Sequence, residues 1–149
     1  MKERFKTFTV LITSIGRSIH KIKSEEMAEF DLKSSHVSCL YYLYKERSLI
    51  AKELCDICGE DKANISRSLK YLEERGYLVC NSRTEKRYQS PITLTEQGKE
   101  IGARIAAKID KVLEIASDGL SEEDREIMYR SLLLICDNLR RVCDGYPKE

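Results

Sequence analysis

Between Ser48 and Leu94 a short helix, a turn, a polar amphipathic helix and two β-prone runs flanking a basic loop succeed one another, and few folds accept that order. Ser48 is placed to cap a helix through Ala51, Leu54, Cys55 and Cys58, which Gly59 ends. Asp61 caps the next helix, whose Ile65, Leu69 and Leu72 recur at helical spacing and predict a buried stripe. The opposite face carries Lys62, Asn64, Ser66, Arg67 and Lys70, hydrogen-bond donors and cations suited to phosphates and base edges. Gly76 supplies a left-handed stop, Tyr77 to Cys80 and Pro91 to Leu94 read as paired strands, and Asn81 to Ser90 becomes an exposed loop with Arg83, Lys86, Arg87 and Tyr88. The expected fold is mainly α with a small β-hairpin wing, a winged helix-turn-helix.

The flanks are helical and longer than that core needs. Phe5 to Phe30 reads as one helix, with Phe8, Ile12, Ile15, Ile19 and Ile22 at three- and four-residue steps, and Asp31 to Lys33 breaks it. Ser34 or Ser35 can cap a second helix with Val37, Leu40, Tyr41 and Tyr44 as its apolar stripe. Thr95 looks like a further helix start, and Ile101, Ile105, Ile109, Val112 and Ala116 carry its stripe up to Asp118-Gly119. Ser121 caps the last helix, whose acidic first turn complements the helix dipole and whose apolar face includes Ile127, Leu132, Ile135, Leu139 and Val142. So much apolar helix surface implies a partner, most simply a second copy. The expected division is an N-terminal dimerisation helix (1–32), a winged helix-turn-helix DNA-binding domain (33–95) and C-terminal dimerisation helices (96–149), one compact domain overall.

Charge is informative only when divided along the chain, because the formal net charge is +1. Lys62 to Tyr88 holds seven basic residues against three acidic ones, whereas Glu114 to Glu126 holds six acidic residues against Arg125 alone. Positive potential is therefore expected where the polar helix and the basic loop lie. No apolar run approaches the roughly 20 residues that cross a bilayer, and the first residues lack an export signal, so no membrane association and a cytoplasmic location are expected. Six cysteines then read as reduced thiols. There is no nucleophile elbow, glycine-rich phosphate loop or H-E-x-x-H run, so neither an enzyme nor a cofactor is expected.

The run Asp61-Lys62-Ala63-Asn64-Ile65-Ser66-Arg67-Ser68-Leu69, then Leu72-Glu73-Glu74-Arg75-Gly76-Tyr77-Leu78, then Leu94-Thr95-Glu96-Gln97-Gly98 resembles the MarR family of winged-helix transcriptional regulators. Leu94 falls eighteen residues after Gly76, the distance the family's hairpin and wing require. Leu32 to Leu40 resembles the family's second helix, with His36 where glutamine is common. The wing departs from the pattern: Lys86 stands before Arg87 where the family usually has Asp. The resemblance implies a homodimer joined through its first and last helices, with two recognition helices in successive major grooves of a roughly palindromic duplex. Lys62, Asn64, Ser66, Arg67 and Lys70 would face the major groove, and Arg83, Lys86, Arg87 and Tyr88 the minor groove and backbone. The expected function is a sequence-specific repressor released by a small phenolic or anionic effector, for which His20, His36 and Tyr41 are the candidate pocket residues.

Two rival readings have their own residues. Cys55-Asp56-Ile57-Cys58 has no second pair or histidine partner for zinc, and core packing accounts for it. Cys39, beside Tyr41 and Tyr42, raises a thiol-based sensor that also binds DNA. A winged-helix protein-interaction module would instead pair Arg67 and Arg87 with Glu73, Glu74 or Glu85.

Overall fold

Helical spacing in the sequence becomes six helices among the described residues, and three short strands form a small sheet beside the helix-turn-helix. The computed structural model describes residues 4–81 and 89–146. The order is α1 (Arg4–Glu26), a single 3-10 turn at Ala28–Phe30, α2 (Ser34–Glu46), β1 (Ser48–Leu49), α3 (Ala51–Cys58), α4 (Lys62–Glu74), β2 (Leu78–Cys80), β3 (Ile92–Leu94), α5 (Glu96–Ala116) and α6 (Glu122–Asp144). The chain divides into two compact units between Ile109 and Asp110.

Three of the expected starts and stops differ. The first helix ends at Glu26 rather than Phe30, and Asp31 takes a left-handed conformation at φ 56° that turns the chain into α2. Lys33, not Ser34 or Ser35, is the N-cap of α2; its backbone N–H donates to His36 Nδ1 at 3.1 Å, so a histidine fills the place of the glutamate in a capping box. Ser48 does not cap α3. It lies in β1 opposite Thr93, while Ile50 is the N-cap, its N–H donating to Glu53 Oε2 at 2.8 Å.

α2 is the centre of the first unit. α1, α3, α4, β1 and β3 all pack on it, so His36 to Leu40 are buried without a break, together with Leu43, and no single stripe describes it. Tyr41 and Tyr42 are half-buried at its edge and Tyr44 is exposed. Around it Met27, Leu54, Ile65, Leu72, Leu78, Ile92 and Ile105 complete the core. The antiparallel sheet has the order β1-β3-β2, with Leu78 opposite Leu94 and Cys80 opposite Ile92.

α5 is fixed at its start by Thr95, whose hydroxyl donates to Gly76 O at 2.6 Å and accepts from Gly98 N–H at 3.0 Å. Farther along, Lys108 reaches the carboxylates of Glu26 at 3.4 Å and Glu29 at 3.1 Å, within the first unit. In the second unit Ser121 caps α6 as expected, accepting from Asp124 N–H at 3.1 Å. No residue of α6 is buried.

Candidate nucleic-acid interface

The site is built on α4. Asp61 accepts from Asn64 N–H at 2.8 Å and closes the first turn. Ile65 and Leu72 are fully enclosed behind the helix, but Leu69 is only half-buried and Ser68 takes the third inward place. Its hydroxyl donates to Ser35 Oγ at 3.0 Å, which ties the helix to the first turn of α2. A serine is tolerated there because its donor is satisfied.

The outward residues are where helical geometry put them. Lys62, Ser66, Arg67 and Lys70 are exposed, and Asn64 is half-buried with its amide nitrogen held by the Glu60 carboxylate. Lys70 meets Glu74 only at 3.9 Å, a solvated pair of little energetic weight. Among the described residues no carboxylate lies within ion-pair distance of Arg67. The helix stands between two clefts. One, of about 280 Å³, has Lys62, Ser66 and Lys70 on its rim and Leu78, Cys80 and Ile92 beneath. The other, of about 590 Å³, is lined by Lys33, Ser35, His36, Asn64, Arg67 and Tyr71. A ridge of helix with grooves on both sides has the shape to enter a major groove about 12 Å wide.

Sequence reasoning missed the residues that hold this ridge. Tyr71 stacks on His36 with ring centroids 4.3 Å apart and planes 7° from parallel. Its hydroxyl donates to the Asp31 carbonyl at 2.8 Å. Arg75, counted with the basic surface, turns back instead: its guanidinium reaches Phe30 O at 3.2 Å and Asp31 Oδ2 at 3.4 Å. The left-handed Asp31 corner is thereby strapped to the C-terminal half of α4. The only sequence signal is negative: Asp31 breaks the helical pattern, but nothing local says which helix receives it.

Burial pushes the His36 imidazole below its ordinary range, helped by the cations of Lys33 and Arg75 and opposed by the Asp31 carboxylate. His36 is therefore a neutral acceptor for the cap of α2. His20 is exposed on α1, and Tyr41 is edge-on to Tyr42 at 5.2 Å with Lys45 Nζ 5.5 Å from its ring centroid. Of these three, His36 alone lines the cleft beside Arg67.

The hairpin that would carry the wing is in place, with Asn81 N–H donating to Pro91 O at 2.9 Å beyond the last strand pair. Arg83, Lys86, Arg87 and Tyr88 lie outside the described residues. Among those described, no three histidine, cysteine or acidic side chains are grouped to hold a metal, and no helix is long and apolar enough to cross a membrane.

Comparison with known proteins agrees with this geometry. Residues 30–87 match the MarR family model. The HTH-type transcriptional regulator YybA of Bacillus subtilis is 22% identical over 130 residues, 87% of each chain. Among solved structures, NMB1585, a MarR family regulator from Neisseria meningitidis, superposes with a TM-score of 0.83 at 17% identity, covering 95% of this chain and 97% of that one. A MarR family regulator from Listeria monocytogenes complexed with a 26mer DNA superposes with a TM-score of 0.78 at 21% identity, covering 93% and 95%.

Proposed function

We propose that this chain, which matches the MarR family model over residues 30–87 and is similar along most of its length to an HTH-type transcriptional regulator, is a homodimeric repressor of that family that grips a roughly palindromic duplex and lets go when a small effector binds. The observation that carries the DNA assignment is the outward face of α4. Lys62, Ser66, Arg67 and Lys70 project from a helix whose cap, inward serine and Tyr71 strap leave it little freedom. Such pre-ordering matters because a side chain that is already placed loses less entropy when it meets a base.

The apolar faces favour two copies. On α1, Leu11, Ile12, Ile15 and Ile19 are exposed, and on α6 Ile127, Leu134, Leu139 and Val142 are exposed. A helix face of that kind is stable in water when another chain covers it. A two-fold dimer then presents two recognition helices about one helical turn of DNA apart, with half-sites about 10 bp centre to centre. The wing residues Arg83, Lys86, Arg87 and Tyr88 would add minor-groove and backbone contacts outside each half-site. Acting on chromosomal DNA, the dimer works in the cytoplasm and blocks a promoter.

An effector releases such a dimer only by binding one spacing of the recognition helices better than the other. The cleft beside Arg67 suits a small anion with an aromatic ring, because it combines Lys33 and Arg67 with the stacked His36–Tyr71 pair. The interaction-module reading is disfavoured by Arg67, which makes no ion pair with Glu73 or Glu74.

Selection of binding sites from random duplex DNA, combined with affinity for the selected site across salt concentrations, tests the proposal. Enrichment of a palindrome with a steep salt dependence is expected. No enriched site, with only weak salt-labile binding, would overturn it.

A further inference from the structure

The turn between α3 and α4 places a carboxylate beside the leading end of α4. Glu60 is half-buried, and its backbone N–H donates to Cys55 O at 3.2 Å, just after Gly59 bends the chain at φ 64°. Its carboxylate reaches across one turn, where Asn64 Nδ2 donates to Glu60 Oε2 at 2.5 Å. The Asn64 backbone is fixed as well, its N–H donating to Asp61 Oδ1 at 2.8 Å. Asn64 is thus held at both backbone and side chain.

Capping does not account for the Glu60 contact. Asp61 already closes the first turn, and a carboxylate beside a surface that meets phosphates repels them. What the contact does is orient an amide. The oxygen and nitrogen ends of an asparagine have nearly the same shape, so hydrogen-bond partners decide which way it is turned. A carboxylate accepts and does not donate, so it takes the nitrogen end and leaves Asn64 Oδ1 and the second N–H for another partner. One acceptor beside one donor is the pair that reads N6 and N7 of adenine in the major groove.

We propose that Glu60 is a positioning residue for base recognition, turning the Asn64 amide so that its Oδ1 and remaining N–H read an adenine in each half-site. Asn64 lies in the first turn of α4, and the first residues of such a helix are those that reach base edges. It lines the same cleft as Arg67, which is three residues on and therefore on the same face. Three residues span about 4.5 Å of helix axis, close to the spacing of neighbouring base pairs at about 3.4 Å. Asn64 and Arg67 accordingly read neighbouring positions of one half-site, adenine for the amide and guanine for the guanidinium. The base assignment rests on the DNA-binding reading; the held amide does not.

The test uses the full-length protein, the duplex it selects from a random pool, and that duplex substituted at each single position. Asn64→Ala should flatten the preference at one adenine of each half-site. Glu60→Ala should flatten the same position, lowering the ratio of adenine over the other bases about tenfold, within the range of one bidentate pair, without weakening binding to the substituted duplexes. Glu60→Gln keeps an oxygen for the amide and loses the charge, so it should keep most of the ratio. In the Asn64→Ala background, Glu60→Ala should lower the ratio no further. Side-chain amide spectra of the isotope-labelled free protein should show one slowly exchanging Asn64 proton, which Glu60→Ala makes fast.

An even rise in affinity for all sequences in Glu60→Ala, with the adenine ratio unchanged, would leave Glu60 a repelling charge and overturn its role. So would a flattened preference at a base other than adenine, a further loss in the Asn64→Ala background, or two fast Asn64 protons in the native chain. A native chain that keeps the slow proton yet selects no duplex would remove the DNA-binding reading, and the adenine with it. A selected palindrome whose adenine ratio ignores Glu60 would remove this role alone.

Discussion

Arg67 and Arg75 lie on one helical run, and the fold gives them opposite work. Arg67 is exposed beside the cleft in the first half of α4, whereas Arg75 is bound to the Asp31 corner and sits 5.4 Å from the Tyr71 ring. Arg67→Ala is therefore expected to cost about 1–3 kcal/mol of binding to the selected duplex and to relax one base position, while Lys70→Ala weakens all sequences evenly and lowers the salt slope by about 1. Competition binding against single-base variants of the site separates the two. His36 adds a pH dependence to stability. Its folded form binds a proton less readily than the unfolded chain does, so the unfolded chain takes up protons first as pH falls. The stability that neutral His36 confers is complete above the ordinary histidine value of 6.5 and is lost as pH drops below it. His36→Gln keeps an acceptor for Lys33 N–H but cannot titrate. Urea midpoints measured from about pH 8 to about pH 5 should therefore fall less in this variant than in the native chain.

At the scale of elements, the close seating of α5 on the turn after α4 fixes where α4 ends. A Cβ on Gly98 would lie 1.8 Å from the Tyr77 carbonyl oxygen, and backbone cannot swing aside as a side chain can. Gly98→Ala is expected to destabilise the fold by about 1–3 kcal/mol or more, read as a lower urea midpoint. The start of α5 was legible in Thr95 because capping is local chemistry, and so were the caps Asp61 and Ser121. β1 was not legible. Two residues are too few for any alternation pattern, and Ser48 reads as a cap until Thr93 is seen opposite it. The cap of α2 lies one or two residues earlier than its serines suggest, because a histidine accepting from a cap N–H carries none of the usual composition.

For the whole molecule, the exposed face of α1 is the feature that a single chain leaves unexplained. Ile15 is 55% exposed there. Ile15→Glu should cost an isolated chain little, yet break a helix-to-helix interface by placing unpaired carboxylates inside it. Sedimentation should then show monomer with unchanged helix content, and binding to the palindromic site should collapse. Retained dimer in this variant would move the interface off α1.

Helix spacing, caps and glycine stops are properties of neighbouring residues, so the sequence by itself determined the helix-turn-helix, its outward face of Lys62, Ser66, Arg67 and Lys70, and the resemblance to the MarR family. Contacts between residues far apart in the chain have no such local signature. Only the tertiary structure decided that Ser68 turns in to Ser35 and that Arg75 and Tyr71 hold Asp31. Each depends on which helices pack around α2 and at what register, and that is chosen by the joint burial of the whole core rather than by any one segment.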